Sequence, residues 1–354
     1  MNRVSELHRR LNASEKLDVA DRLLLALLTP LGWLYGIVAW LRVRCYRLGI
    51  FRSWRPSVPV VSVGNLAVGG TGKTPTVDAV ARHFLAAGRR VAIVSRGYGA
   101  QGGKSARIVC NGEGPVLSAD ICGDEPFLLA RRNPEAIVIV ARKRAQGVNL
   151  AIERLDAQLI ILDDGFQHLA VQRDIDLVLL DCHNPLGNRR VLPAGILREF
   201  PAALRRADLF LLTRCGDEPT ASEALPAPVF RSRHRLSKMA FPLQGEAVPL
   251  ESLRERKGVA FAGIADPELF FRQLRGKGLF LTETVAFSDH VPYDDNDLAR
   301  LKRAASDADF LITTEKDAVK LVERDPGLPC YQVPLKLEIE QHDELMSHLS
   351  ALIK

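Results

Sequence analysis

The chain has 354 residues, 47% hydrophobic and 25% charged, enough for two domains that each bury a core. A net charge of +6 is compatible with simple solubility or with an anionic partner, and composition does not choose between them; aromatics are only 6% and no basic stretch is interleaved with them as a single-strand nucleic-acid groove requires. The six cysteines (Cys45, Cys110, Cys122, Cys182, Cys215, Cys330) form no C-x-x-C pair and no cluster with histidine, so they argue against a zinc site or disulfide framework and for a reducing compartment.

Residues 23–41 read LLLALLTPLGWLYGIVAWL, 19 residues without a charge. Arg22 precedes them, and Arg42, Arg44, Arg47, Arg52 and Arg55 follow. As a helix this run reaches roughly 28 Å, near the hydrocarbon thickness of a bilayer. A cleaved signal peptide does not fit, because the run starts late and arginines stand where a small-residue cleavage site belongs. A buried core helix is one alternative; the favoured reading is a membrane-associated helix that lies in the leaflet or spans it. Pro30 and Gly32 are expected to interrupt it, Trp33, Tyr35 and Trp40 suit an interface, and the arginines suit anionic headgroups on the cytosolic side.

From Val58 onward, short apolar runs such as VPVVSVG, RRVAIVS, AIVIVA, QLIILDD, DLVLLD and DLFLLT alternate with helical patterns. Runs of this kind read as strands buried on both faces, and the alternation implies a doubly wound, mostly parallel α/β sheet. A second, smaller α/β unit begins near Lys257. The expected division is an N-terminal helical segment (1–55), a P-loop domain of the NTPase type (56–228), a linker (229–256) and the second domain (257–354). The tail 329–354 is a candidate to run back toward the linker.

Ala67-Val68-Gly69-Gly70-Thr71-Gly72-Lys73-Thr74 follows a predicted strand and opens a predicted helix, the context that makes this pattern a phosphate-binding loop. Its glycines let backbone N–H groups converge on a polyphosphate, and the helix N-terminus adds partial positive charge. Lys73 is placed to reach the β- and γ-phosphates and Thr74 to ligate Mg²⁺. Downstream, a strand ends in Asp163-Asp164, where such folds hold the metal; adjacent carboxylates on an extended chain point to opposite sides, so only one touches the ion directly, and the sequence leaves open which. Asp124, in Gly123-Asp124-Glu125-Pro126, is either an acidic helix N-terminus or a carboxylate able to take a proton from an attacking hydroxyl. Two further candidates are Phe287-Ser288-Asp289-His290, whose histidine is either a surface residue or, with Asp289 beside it in a loop, a catalytic one, and the charged run Thr313-Thr314-Glu315-Lys316-Asp317, equally readable as a helix cap.

Taken together, the motifs resemble those of the tetraacyldisaccharide 4′-kinases, the lipid A 4′-kinases of Gram-negative bacteria. The resemblance rests on VGNLAVGGTGKTP (63–75), SRGYG (95–99), GDEP (123–126), LDDGFQH (162–168), LPAGILRE (192–199), FAGIADP (261–267), FSDH (287–290) and TTEKDAVKL (313–321). The stretch AQGGKSARIV after Gly99 is longer than the pattern, and Val291 departs from it. The resemblance implies ATP and Mg²⁺ as cofactors and an amphiphilic glycolipid as substrate. It also implies a site at the cytoplasmic face of the inner membrane, with no nucleic acid and no obligate protein partner. It assigns Lys73 and Thr74 to the phosphates and metal, Asp163 and Asp164 to the metal, and Asp124 as the base for the sugar hydroxyl, helped by His290. The alternative is a membrane-anchored P-loop ATPase or GTPase acting on a protein; Thr213-Arg214-Cys215-Gly216 lacks the lysine and aspartate with which such GTPases read guanine.

Overall fold

The computed structural model describes residues 18–97, 105–216, 225–289, 291–321 and 324–353. Its first element, α1 (Val19–Arg47), runs unbroken through Pro30 and Gly32. The expected interruption does not occur, because a proline removes only one main-chain bond from a 29-residue helix whose other bonds remain. The two glycines serve packing instead. A Cβ at Gly36 would penetrate the Phe200 ring, and one at Gly32 would meet the Val191 carbonyl at 3.0 Å. Only Asp21, Leu25, Gly32, Gly36 and Val43 are buried, while Leu23, Leu27, Trp33, Leu34 and Trp40 are half or more exposed. A buried core helix is therefore ruled out. Each such side chain gains about 1.5–3 kcal/mol on leaving water, so their concentration on one helix favours an apolar surface.

The large sheet grows from buried apolar runs. In chain order its elements are β1 (Val60–Asn65), α2 (Lys73–Ala86), β2 (Val91–Ser95), β3 (Arg107–Asn111), α3 (Ala119–Cys122), α4 (Asp124–Arg132), β4 (Ile137–Val140), α5 (Arg144–Leu155), β5 (Leu159–Asp163), β6 (Ile175–Asp181), β7 (Leu209–Thr213) and β8 (Val229–Leu236). The second sheet takes β9 (Met239–Pro242), β10 (Val248–Pro249), β11 (Lys257–Ala262), β12 (Phe280–Ala286), β13 (Phe310–Thr314) and β14 (Cys330–Val333), with α6 (Pro267–Gly276), α7 (Asp295–Ala304) and the short α8 (Glu315–Ala318). The chain then adds β15 (Leu335–Ile339) and α9 (His342–Leu352) to the first unit.

Strand order in the nine-stranded sheet is β15-β8-β7-β6-β1-β5-β2-β4-β3, parallel from β8 through β4 with antiparallel strands at both edges. The six-stranded sheet runs β10-β9-β14-β13-β11-β12. This is the doubly wound α/β architecture with a smaller α/β partner that the apolar runs imply. The stretch 229–256 is divided: β8 belongs to the large sheet and β9 and β10 to the small one. The last helix packs Leu345, Met346 and Leu349 into the core around Val61, Val63 and Val77. The chain thus crosses between the sheets twice, side by side, with Ser237 N–H bonded to the Pro334 carbonyl at 2.8 Å.

One expectation fails here. Cys182 and Cys215 form a disulfide, with Cα atoms 5.1 Å apart. They follow the ends of neighbouring strands β6 and β7, and pairing between strands 33 residues apart leaves no mark in local spacing.

Candidate active site

Strand β1 is central, with β6 on one side and β5 on the other, so the loop after it sits at the point where ligands bind open α/β sheets. Gly69 and Gly72 adopt φ of 112° and 78°. A Cβ on Gly72 would stand 2.6 Å from the His234 ring, so conformation and space both demand glycine. The loop is braced from the strand ends. Asn65 Nδ2 donates to Thr71 Oγ1 (2.8 Å), Thr213 Oγ1 donates to the Thr71 carbonyl (3.0 Å), and Arg214 donates to the Gly70 carbonyl. Burial holds the His234 imidazole down to about 4, assisted by the Arg214 charge and opposed by Asp181, so the ring against the loop is neutral at physiological pH.

The two aspartates after β5 are held in opposite ways. Asp163 is buried in register with Val63, and its Oδ2 accepts a hydrogen bond from Ser95 Oγ at 2.8 Å. Burial and the nearby Glu125 carboxylate push Asp163 up to about 6; the Ser95 hydroxyl opposes this, Asp164 adds to it and Arg144 counters it. That Arg144 guanidinium donates to the carbonyls of Ala141 and Asp163. Asp164 adopts φ 54°, which turns it away from its neighbour. It accepts from Arg198 at 2.8 and 2.9 Å and lies 3.8 Å from Lys73 Nζ. Asp164 is thus already matched by cations, whereas Asp163 leans on a hydroxyl among other carboxylates.

A cavity of about 410 Å³ between the two domains is lined by Gly69 through Thr74, Ser95, Glu125, Asp163, Asp164 and Arg198, and across from them by Leu269, Phe270, Lys316 and Val333. Ala67 and Val68, expected among the binding residues, do not line it. The Val68 N–H is taken by the Ile196 carbonyl at 2.8 Å, so this end of the loop anchors it. Asp124, the first residue of α4, is not among the residues that line the cavity, although its neighbour Glu125 is; its Oδ2 lies 3.2 Å from Lys320 Nζ of the second domain. His290 lies outside the described residues; its neighbour Asp289 pairs with Lys316 at 2.9 Å.

The donor set suits a hard dication. Carboxylate and hydroxyl oxygens from Asp163, Thr74 and Ser95 gather at one wall. Among the described residues no three acidic, histidine or cysteine side chains converge as an all-protein cage would require. Mg²⁺ at phosphoryl-transfer sites needs fewer, one or two carboxylates with phosphate oxygens completing the shell. Sequence reasoning gave no role to Ser95, Arg198 or Lys320, although each lies inside a motif that carries the resemblance (SRGYG, LPAGILRE and TTEKDAVKL). Ser95 at least carried a signal, as a polar residue closing an apolar strand beside the P-loop.

A phosphate loop at a sheet switch point, with a strand-end carboxylate beside it and a second domain across the cleft, is the arrangement of a P-loop nucleotide-binding protein. Comparison with known proteins narrows this. The profile of the family described as Tetraacyldisaccharide-1-P 4′-kinase (LpxK) matches residues 24–354, and the chain belongs to that family. A tetraacyldisaccharide 4′-kinase of Syntrophotalea carbinolica is 52% identical over 100% of this chain and 99% of its own length. One of Geobacter metallireducens is 50% identical over 85% of this chain and 90% of its own. A crystal structure described as the "apo" form of LpxK from Aquifex aeolicus in complex with ATP aligns with a TM-score of 0.80 at 32% identity, covering 94% of this chain and 100% of that one.

Proposed function

We propose that the chain transfers the γ-phosphoryl group of ATP to the 4′-hydroxyl of a tetraacylated glucosamine disaccharide 1-phosphate, at the cytoplasmic face of the inner membrane. The observation that carries this is the opening of the phosphate loop into the same cavity as Asp163 and Glu125, in a chain that matches the family along its length. Backbone N–H groups of Gly69–Thr74 and the Lys73 ammonium bind the phosphates, and the apolar wall of Leu269, Phe270 and Val333 receives the base. Thr74 and Asp163 are the residues that would hold Mg²⁺, with Asp164 kept by Arg198 and Lys73 as an outer carboxylate. Bound there, Mg²⁺ would supply positive charge against the phosphate oxygens. Asp124 takes the proton of the sugar hydroxyl as its oxygen attacks phosphorus, the bond to the bridging oxygen breaks and ADP leaves; the helper role of His290 rests on the motif FSDH alone.

Incubation with labelled ATP, Mg²⁺ and a tetraacyldisaccharide 1-phosphate is expected to give a bisphosphorylated lipid. ATP hydrolysis without that product would favour the protein-directed ATPase instead. The exposed apolar face of α1 supports membrane association. Deleting residues 1–41 is expected to move the protein from the membrane pellet to the supernatant and weaken its action on micellar substrate. Unchanged sedimentation would refute the anchor.

A further inference from the structure

The Thr-Thr-Glu-Lys-Asp run takes no part in the chemistry above, yet it is the second domain's main reach toward α4. Glu315 accepts from Arg132, the last residue of α4, through Nε at 3.2 Å and through a second guanidinium nitrogen; Arg132 also donates to Asp78 of α2 at 3.1 Å. Lys316 Nζ stands 4.0 Å from Glu125. Lys320 Nζ stands 3.2 Å from Asp124 Oδ2, with side chains only 4% and 14% exposed. Residues 315–320 therefore grip both ends of the helix that carries Asp124.

We infer that Lys320 is a positioning residue for the transfer, fixing the Asp124 carboxylate from the second domain; the inference rests on the reading of Asp124 as base. Lys320 is itself held in place. Asp317 Oδ1 lies 3.6 Å from its ammonium, and the Tyr293 ring centroid lies 5.7 Å away. Asp317 is fully buried and accepts from Thr314 Oγ1 (2.7 Å) and Gly263 N–H (3.0 Å), at the ends of β13 and β11. A buried ion pair is a poor stabiliser, because desolvation offsets most of its attraction. Its contribution is geometric. The wall beside Asp124 carries Glu125 and Asp163 and receives a triphosphate, so an unanchored carboxylate would swing away from that charge. The anchor comes from the other domain, so this contact to the base forms when the domains are in this arrangement.

The test compares Lys320→Met, Lys320→Arg, Asp124→Asn and the Lys320→Met/Asp124→Asn double variant, using labelled ATP and tetraacyldisaccharide 1-phosphate. ATP binding and thermal unfolding are measured on each. Lys320→Met is expected to lower kcat at least about tenfold with KM for ATP within about twofold, and Lys320→Arg to recover most of the loss. Asp124→Asn is expected to lower kcat by about 10²-fold or more, and the double variant to match it, because a residue acting through Asp124 has nothing left to position. A wild-type kcat in Lys320→Met, no recovery by arginine, or losses that multiply in the double variant would overturn the inference while leaving Asp124 as base. A wild-type kcat in Asp124→Asn would overturn that reading itself, and the inference with it.

Discussion

Lys73→Ala is expected to abolish phosphoryl transfer, lowering kcat by about 10³-fold or more, while the fold survives nearly unchanged. The two halves of this expectation have separate causes. Transfer depends on a cation at the oxygens where charge develops, and the other phosphate contacts in the loop are neutral N–H groups and glycines that cannot replace it. Stability depends on what the lysine leaves behind. Its partner Asp164 keeps two short contacts with Arg198, so removing Lys73 strands no buried charge. The side chain is 3.8 Å from that carboxylate, beyond hydrogen-bond distance, and a partly buried ion pair is a poor stabiliser in any case. Initial rates and thermal unfolding of the same preparation check both. Activity above about a tenth of wild type would mean the loop is misread, and gross destabilisation would mean Lys73 has a structural role.

What could be read from the sequence was local. The turn from β1 through the glycines to Lys73 is specified by consecutive residues, so strand, loop and helix could be placed without the structure. The strand ending in Asp163-Asp164 was legible for the same reason. Which aspartate faces the metal was not, because Arg198, which claims Asp164, comes 34 residues later from a stretch without regular periodicity. The pairing of Asp124 with Lys320 joins two domains, and no pattern within either one announces it. Pro30 misled in the opposite direction, since a local breaker was outvoted by the intact turns around it and by the close packing of Gly36 on Phe200. The disulfide was lost similarly, its cysteines brought together only by strand order.

Asp163→Asn is expected to lower kcat by about 10²–10³-fold and at the same time to stabilise the ligand-free protein at pH 7.5. The activity loss follows from removing the charge of the only one of the two strand-end carboxylates that no arginine or lysine side chain neutralises by contact among the described residues. The gain in stability follows from the same fact. Folding raises this carboxyl from 3.8 to about 6, chiefly by burial and by Glu125, so above pH 6 the folded state carries a charge that the unfolded chain holds more comfortably. That penalty is on the order of 3 kcal/mol at most, and asparagine removes it while keeping an acceptor for Ser95. As pH falls through 6 the folded wild type takes up a proton while the unfolded chain is still ionised. Its stability therefore rises relative to the variant, and the difference vanishes once both states are protonated, below about pH 4. Thermal unfolding of the two proteins at pH 7.5, 6 and 4.5 should show the gap narrowing in that order. Adding Mg²⁺ and ATP at pH 7.5 should reverse it by stabilising the wild type more, because only the wild type offers the charge a dication needs. A variant that is less stable at pH 7.5 would mean the buried Asp163 charge carries no such penalty, and one equally stabilised by Mg²⁺ and ATP would move the metal to another carboxylate.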